Sequence, residues 1–417
     1  MKTYIRQLKK AINAHIESNI RIKESDVLDS SNAIASYLPA EMRKEIGAFF
    51  TESRLSRKAI QCFQQAITAK SIVFDPNCGV GNLLLESSNQ LGVYNHLSDT
   101  LKVWGEVLRG FDVQAEFIEL TKLRLIMAAL VRGVKADCSL EQAMCYFKYI
   151  IQQDSLAVSA SILKSVTHLF MNPPFIAIDS PKCDYWGKGK TNSAAVFFDY
   201  YLRNVPDKCN IVAILPDVLR SGSRFKHFRD FVSENLQGKC DIEGRFSDTA
   251  DVDVFILSGQ KCKDGQGIIW SPQYINSHNL GEDYDVCIGP LVAYRDKREG
   301  NIYPYFHPKN CKNWEIVTAV SETREFNGKV IQPPCVLIKR TSSPSDKYRA
   351  AATLINLKQP IAVENHLIIV TPKDKSLKKC KRLLKMLERP EINQFLNEQI
   401  RLRHLTVGVI KSIPLLS

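Results

Sequence analysis

The sequence lacks several features that would assign it to familiar classes of protein. Its 12 cysteines include no Cys-x-x-Cys pair, so they indicate no metal site. No signal peptide is recognisable, and cysteines in that setting are typical of reduced, mostly buried thiols, which predicts a cytoplasmic protein. No apolar run approaches the roughly 20 residues that a membrane span needs, so we expect no membrane partner.

The remaining composition is that of an ordinary globular protein. Its 417 residues are enough for two or three domains with a substantial core. The net charge of +12 is unevenly distributed, because residues 261–417 contain 25 lysines and arginines against 15 aspartates and glutamates, a balance of +10. This asymmetry indicates either a polyanion bound mainly by the C-terminal region or a solvated basic surface.

A glycine-rich turn follows the first predicted strand. The strand at 71–74 leads into residues 75–82, which read Asp-Pro-Asn-Cys-Gly-Val-Gly-Asn, and then into a helix. Glycines at 79 and 81 let the backbone approach a ligand closely, and the helix start supplies N–H groups. The turn lacks the Gly-Lys-Ser/Thr of a phosphate loop, and Asp75 ends the strand instead. That acid favours a cationic or amine-bearing ligand, although Gly-x-Gly alone is also typical of an ordinary turn.

Polar side chains end three further predicted strands. These are 107–111 with Asp112, 146–151 with Asp154, and 166–171 with Asn172. Asp112 has the position of a ribose-hydroxyl acceptor in nucleoside-binding sheets, and Asp154 could accept from an adenine amino group. Together with Asp75, these four polar strand ends favour one ligand site over four unrelated loop residues.

Asn172 opens the tetrapeptide Asn172-Pro173-Pro174-Phe175. Two prolines fix φ and remove two backbone donors, so the loop presents its carbonyl oxygens and the Asn side chain in one arrangement. A planar amine could donate to the Asn172 side-chain oxygen and the Pro173 carbonyl while its ring stacks on Phe175. For Asn-Pro-Pro alone, a surface turn is the alternative.

The order of these segments predicts an α/β fold with a doubly wound, mostly parallel seven-stranded sheet. Later strands are predicted at 210–215, near Asp241 and at 253–257, the last pair forming a hairpin with an antiparallel edge. We assign residues 46–262 to this domain. A helical N-terminal arm at 1–45 precedes it, and a C-terminal α+β domain at 263–417 follows.

In this order, the motifs resemble those of S-adenosylmethionine-dependent adenine-N6 DNA methyltransferases of the gamma arrangement, in which a target-recognition domain follows the catalytic domain. The resemblance extends from residues 47–51, Gly-Ala-Phe-Phe-Thr, to residues 403–414, which are similar to the closing segment of stand-alone type II enzymes. Methyltransferases that act on rRNA and on release-factor glutamine share the Asn-Pro-Pro-aromatic tetrapeptide. The aromatic-Thr stretch and the long basic C-terminal region make the combination more specific.

The resemblance implies roles in binding S-adenosylmethionine. Thr51, Asp75 and Gly79 would line the methionine end of the cofactor. Asp112 would hold the ribose hydroxyls, and Asp154 would hold the adenine amino group. The full implied cofactor-binding set is Thr51, Asp75, Pro76, Gly79, Gly81, Asp112, Asp154 and Asn172.

The resemblance also implies a duplex DNA substrate with an extruded adenine. Asn172, Pro173, Pro174 and Phe175 would form the catalytic loop, and Phe246 would stack on the base face opposite Phe175. Candidate DNA contacts in the C-terminal domain are Lys339, Arg340, Lys347 and Arg349. We interpret the basic run from Lys373 to Lys385 as the solvated face of a helix start rather than a reading element.

Several alternatives stay open at this stage. The chain could be the modification subunit of a restriction system whose specificity lies in another subunit. It could instead be an RNA or protein methyltransferase, or a non-catalytic DNA-binding module with the same fold. No nuclease constellation is present, so DNA cleavage would require a partner such as a cognate restriction endonuclease.

Overall fold

The computed structural model describes most of the chain. The described residues are 1–18, 53–247, 250–263, 265, 267–272, 274 and 278–415. The chain divides into two compact units, Met1–Trp270 and Ser271–Ser417. The domain boundary predicted after residue 262 falls shortly before this division. Of the N-terminal arm predicted at 1–45, the helix Lys2–Ser18 lies within the described residues.

The first unit is built on one large sheet. The strands of this unit are β1 (Val73–Asp75), β2 (Leu108–Asp112), β3 (Ile150–Gln152), β4 (His168–Met171), β5 (Ala177–Asp179), β6 (Lys190–Asn192), β7 (Asn210–Pro216), β8 (Leu236–Ser247) and β9 (Ala250–Lys261). β5 and β6 form a separate two-stranded hairpin, and the other seven strands form the large sheet. The seven-stranded sheet has the order β3-β2-β1-β4-β7-β9-β8. The first five of these strands are parallel, whereas β9 is antiparallel to β7 and β8. The predicted doubly wound sheet with an antiparallel closing hairpin is confirmed.

The central strand β7 shows why this sheet is covered on both faces. All of its residues are buried. Val212 and Ile214 pack into the hydrophobic core on one face, whereas Ile211, Ala213 and Leu215 pack into the core on the other. Successive side chains of a strand point to opposite faces, so a continuous apolar run requires packing on both sides.

Helices supply that cover. In the first unit they are α1 (Lys2–Ser18), α2 (Ser53–Ile60), α3 (Asn82–Ser88), α4 (Leu97–Val107), α5 (Ala115–Val131), α6 (Leu140–Tyr146), α7 (Ala160–Leu163), α8 (Ser193–Asn204), α9 (Asp217–Ser221) and α10 (Lys226–Asn235), with a 3-10 turn at Ser223–Phe225. Ile5, Leu8 and Ile12 of α1 are buried in the first core. None of the helices in the described part of the chain is long and apolar enough to cross a membrane.

The helix α2 is shorter than its sequence pattern indicates. The pattern predicts a helix at 54–69, but α2 ends at Ile60. Phe63 instead packs its ring edge-on against His168 and Phe170, at centroid distances of 5.1 and 5.3 Å. Packing against β4 therefore overrides the helical periodicity of this segment.

The strand β3 is also shorter than predicted. The hydroxyl of Ser139 accepts from the Gln142 amide at 3.3 Å, and the Gln142 side chain accepts from the Ser139 amide at 3.0 Å. This capping box starts α6, which continues through Tyr146. The strand predicted at 146–151 therefore begins only at Ile150.

The second unit is an α+β domain, as predicted. Its elements are α11 (Leu280–Asp283), β10 (Tyr284–Ile288), β11 (Asn301–Phe306), β12 (Ile316–Val317), β13 (Thr323–Phe326), β14 (Cys335–Lys339), β15 (Ala352–Ile355), β16 (Ala362–Val363), β17 (Leu367–Pro372), α12 (Leu377–Leu387), α13 (Pro390–Gln399) and α14 (Val407–Lys411). One sheet has the order β10-β17-β14-β15-β12 and another the order β13-β11-β16. Val336 and Ile338 of β14 pack with Leu383 and Phe395 of the helices, whereas Leu337 faces a second core.

Arg349 lies in the interior of the second unit. Its side chain is fully buried, with a relative exposure of 0%. The guanidinium donates to Asn397 Oδ1 at 3.1 Å and to the Leu402 carbonyl at 2.8 Å, and the backbone amide donates to Asn393 Oδ1 at 2.6 Å. The DNA contact predicted for Arg349 does not fit the structure, because its guanidinium is fully buried and already donates to these internal acceptors.

We expect the substitution Arg349→Ala to lower the free energy of unfolding by about 3 kcal/mol, because it leaves buried acceptors without their charged donor. The exposed neighbour Lys347, replaced by Ala, should change stability by less than about 0.5 kcal/mol. Urea unfolding followed by circular dichroism measures both. An Arg349→Ala protein of unchanged stability with weakened DNA binding would restore Arg349 as a DNA contact.

Candidate active site

The strand order brings the predicted acids and Asn172 to one edge of the sheet. Asp75 is the last residue of β1 and pairs in register with Gly110 of β2, two residues before Asp112. β4 lies on the other side of β1 and leads directly into Asn172. Asp154 follows β3, which pairs with β2. The carboxyl ends of parallel strands form the usual ligand edge of such sheets.

The two glycines of the turn have different roles. Gly79 has φ +52°, and a Cβ built there would meet nothing within 4 Å. Gly81 has φ +83°, and its Cβ would lie 2.6 Å from Thr121 Cγ2. Both backbones occupy the left-handed region that favours glycine. Gly79 leaves room for a ligand to approach the backbone, whereas Gly81 permits close packing of the turn against α5.

Hydrogen bonds from β2 and α5 hold this turn. The Gly79 amide donates to Asp112 Oδ2 at 3.0 Å, and the Thr121 hydroxyl donates to the Gly79 carbonyl at 2.9 Å. The Cys78 amide donates to the Phe111 carbonyl at 3.0 Å. The second oxygen of Asp112 accepts from the Gln114 amide at 2.9 Å. Asp112 thus fixes the turn, and its remaining lone pairs are those that could accept from a ribose.

Asp75 is a strongly desolvated carboxyl group. Its relative exposure is 1%, and burial raises its pKa to about 8, with a smaller contribution from the charge of Asp112. The Asn77 amide donates to Asp75 Oδ1 at 3.2 Å and partly opposes this rise in pKa. Burial also raises the pKa of Asp112. Neither carboxyl forms an ion pair with a described residue, so a bound cation would stabilise both carboxylates.

Asn77 carries another acceptor at this edge. Its side-chain nitrogen donates to Ser155 Oγ at 3.2 Å, while its buried Oδ1 has no hydrogen-bond partner among the described residues. Asp154 is exposed and accepts from the Leu156 amide at 3.0 Å. Carboxyl groups and an unpartnered amide oxygen suit a ligand that presents a positive charge and N–H or O–H donors.

The loop that begins at Asn172 is held by Ser193, the first residue of α8. The Ser193 hydroxyl accepts from the Ile176 amide at 3.1 Å and donates to the Pro174 carbonyl. The Ser193 amide donates to the Ile176 carbonyl at 2.8 Å. Ser193 has an exposure of 1%, and Pro173 is buried. The loop is therefore fixed both by its prolines and by a buried serine that the sequence reasoning missed.

Phe175 and Phe246 are neighbours, as the resemblance implies. Their ring centroids lie 5.8 Å apart with an interplanar angle of 80°, so the rings pack edge to face. A flat base sandwiched between two rings needs parallel faces roughly 7 Å apart, about two stacking distances. The predicted sandwich is therefore not preformed, and the buried Phe246 would have to separate from Phe175 to admit a base.

Arg124 is a second residue that the sequence reasoning missed. It lies in the apolar helix α5 with an exposure of 4%. One guanidinium nitrogen donates to Asn82 Oδ1 at 2.7 Å and to the Val80 carbonyl, so Arg124 holds the far side of the glycine turn. Burial lowers its pKa to about 10. A lone arginine among Leu123, Leu125 and Ile126 is the signal that could have identified it.

The remaining predicted residues are spread more widely. Thr51 lies outside the described residues. Lys339 and Lys347 line a cleft of about 280 Å³ in the second unit. Lys347 is exposed and lies 5.1 Å from the Tyr348 ring centroid. Arg340 is half-buried and contacts the Asn365 carbonyl at 3.4 Å.

Residues 29–203 match the model of the N-6 DNA Methylase family. No curated protein sequence matches the chain. Among solved structures, the type IIL restriction-modification enzyme MmeI in complex with DNA aligns with 94% of this chain and 71% of its own, at 9% identity and a TM-score of 0.56. This likeness shows a shared fold.

Two further structures are similar at lower scores. The type IIG restriction endonuclease BpuSI aligns with 100% of this chain and 67% of its own, at 14% identity and a TM-score of 0.48. The methyltransferase subunit of a type I restriction-modification system from Streptococcus thermophilus aligns with 62% of this chain and 61% of its own, at 14% identity and a TM-score of 0.35. The chain thus spans less than two thirds of the type I subunit.

The family match covers the glycine turn, the acidic strand ends and the Asn172 loop. The sheet order and the strand-end geometry agree with it. Residues 29–203, the part of the chain that carries this site, are therefore similar to the N-6 DNA Methylase family.

Proposed function

We propose that this protein transfers the methyl group of S-adenosylmethionine to N6 of an adenine extruded from a specific duplex DNA site. One observation supports this most directly. The Asn172 loop, fixed by Ser193, lies at the end of the strand next to the buried carboxyl group of Asp75. An acceptor loop for an amine and a buried carboxyl group that can ionise beside a cation thus share one edge of the sheet.

The acceptors at this edge fit the cofactor. When bound, S-adenosylmethionine supplies an electrophilic methyl group on a positively charged sulfur. Asp75 and the side-chain oxygen of Asn77 would face its charged methionine end, beside the open backbone at Gly79. Asp112 would accept from the ribose hydroxyls and Asp154 from the adenine amino group. Thr51 would contribute from the segment before α2.

The Asn172 loop would activate the target amine. The exocyclic nitrogen of adenine is a poor nucleophile, because its lone pair is delocalised into the ring. Hydrogen bonds donated to the Asn172 side-chain oxygen and the Pro173 carbonyl would favour a pyramidal nitrogen and stabilise its growing positive charge. No titrating base is required for the attack: the new nitrogen–carbon bond would replace the methyl–sulfur bond, a neutral thioether would leave, and the surplus proton on the nitrogen would then pass to solvent. Positioning of the amine in line with the methyl group can contribute several kcal/mol.

Access of the base to this loop requires two movements. The amine is inaccessible inside a duplex, so the adenine must be extruded at a cost of a few kcal/mol. Phe175 and Phe246 must then part from their edge-to-face contact. Loss of an aromatic contact of this kind costs about 1 kcal/mol, which stacking of the base on Phe175 can offset.

The second unit would recognise the target sequence. Lys339, Arg340 and Lys347 are the remaining candidate contacts. The cleft lined by Lys339 and Lys347 offers polar groups for a phosphate or a base edge. We place the protein in a restriction-modification or related system in the cytoplasm. Alternatively, a separate specificity subunit would read the target sequence. DNA cleavage would be supplied by a cognate endonuclease.

The proposal predicts methyl transfer to duplex DNA, but not to RNA or protein offered in parallel. The substitution Asn172→Ala should reduce transfer by more than about a thousandfold, because it removes the acceptor for the amine. Transfer of a radioactive methyl group measures the activity, and calorimetry with the cofactor measures its binding.

Cofactor affinity should stay within about threefold of wild type in Asn172→Ala. Asn204→Ala, which removes an amide of the same kind at the end of α8, is the matched control and should retain activity. Near-normal turnover by Asn172→Ala would refute the assigned role. Transfer to RNA alone would refute the DNA substrate.

Proton release on cofactor binding is expected from Asp75. Its pKa of about 8 leaves the carboxyl largely protonated at pH 7, and a cationic ligand favours the carboxylate. Cofactor affinity should therefore rise with pH up to about 8. In the free protein the same raised pKa lowers stability as pH increases from about 4 to about 8, because the unfolded chain ionises first.

Calorimetry at pH 7 in two buffers of different ionisation enthalpy measures this proton release. Asp75→Asn should abolish it and weaken cofactor binding about tenfold. Glu86→Gln removes another carboxyl with a raised pKa, one that pairs with Arg57 at 3.5 Å, and should leave the release unchanged. Equal proton release by wild type and Asp75→Asn would contradict the assignment.

Ser193 should act as a positioning residue for the Asn172 loop. We expect Ser193→Ala to lower kcat about tenfold, equivalent to about 1.4 kcal/mol, because it removes two hydrogen bonds that fix the loop. Cofactor Kd should not change. Ser87→Ala, which removes a buried hydroxyl that donates to the Leu83 carbonyl, should keep kcat. An unchanged kcat in Ser193→Ala would show that the prolines alone set the loop.

A further inference from the structure

The exposed face of α12 carries a stripe of basic side chains. Lys378, Lys381, Arg382 and Lys385 are exposed and lie at the i, i+3, i+4 and i+7 spacing of one helix face. The opposite face is buried in the core of the second unit through Cys380, Leu383, Leu384, Met386 and Leu387. The orientation of α12 is therefore fixed, and its basic stripe faces solvent.

The lysines of this stripe have no acidic partners in the described structure. Lys379, on the edge of the stripe, pairs with Asp374 at 3.1 Å and Asp283 at 3.7 Å. No described ion pair includes Lys378, Lys381 or Lys385. Like charges three and four residues apart repel one another, and positive charge in the first helical turn opposes the helix dipole. The arrangement is unfavourable in the free protein and becomes favourable when an anion binds.

We propose that this basic stripe binds the phosphate backbone of DNA, an inference that rests on the proposed function. Seven residues of α-helix span about 10 Å, close to the axial rise of about three nucleotide steps on one strand. Lysine ammonium groups on flexible stems recognise point charges rather than the bidentate edges of bases. The stripe would therefore strengthen binding to every sequence alike and would not select the target site.

The test is the triple variant Lys378→Gln, Lys381→Gln and Lys385→Gln in the full chain. Its affinity for target and non-target duplexes is measured by fluorescence anisotropy over a range of salt concentrations. Loss of three phosphate contacts should reduce the slope of log affinity against log salt by about 2 to 3. Affinity for both duplexes should fall roughly tenfold or more in about 0.15 M salt, with an unchanged specificity ratio and an unchanged kcat at saturating DNA.

The matched control replaces three exposed lysines elsewhere in the same unit by Gln, namely Lys309, Lys329 and Lys358. It loses the same charge and should retain nearly the wild-type slope. Equal slopes for both triple variants, or a changed specificity ratio in the α12 variant, would overturn the phosphate assignment. Thermal unfolding of both variants checks that α12 remains folded. If the wild-type protein neither binds nor methylates duplex DNA, the proposed function fails instead.

Discussion

Two carboxyl groups withdrawn from water at the ends of neighbouring parallel strands determine the character of the site. Parallel pairing of β1 with β2 brings Asp75 and Asp112 to the same edge of the sheet. Burial opposes the ionisation of both, and the hydrogen bonds that they accept within the described residues come from backbone amides. Amide dipoles offset only part of the desolvation cost. A positively charged ligand would remove the rest of that cost, so the desolvated carboxyl groups favour a cation over a phosphate at this edge.

The two halves of the site differ in how far they are preformed. On the cofactor side, Asp112 holds the Gly79 amide from one direction, and Arg124 holds the Val80 carbonyl from the other. On the target side, Ser193 fixes the loop after Asn172, but the Phe175 ring rests against Phe246. Under the proposed function, these residues of the cofactor half need no rearrangement to bind their ligand. Under the same proposal, the base half must open for an extruded base to replace the aromatic contact, which would couple aromatic separation to base extrusion.

The sequence predicted the sheet well because buried parallel strands are continuous apolar runs, and β4 and β7 are buried at every position. The acids and Asn172 were predictable because they directly follow those runs. Contacts that depend on tertiary structure were not predictable. Phe63 ends α2 by packing on β4, and Ser193 reaches a loop 17 residues earlier in the chain. The predicted DNA contact by Arg349 failed because one local basic cluster contained both exposed and fully buried side chains.

The net positive charge of the second unit, counted from its composition, does not predict which of its cations can contact a ligand. Lys373 donates its ammonium protons to the Gly281 and Glu282 carbonyls, and Lys379 is neutralised by two aspartates. Arg349 is buried in the interior of the unit. The paired Lys379 and the buried Arg349 count toward the net charge but offer an approaching polyanion little to contact. Charge remains available where the fold orients side chains outward without acidic neighbours. The two kinds of charged group therefore lie on different elements. The buried acids lie at strand ends of the first unit, whereas the solvated cations lie on a helix face of the second unit.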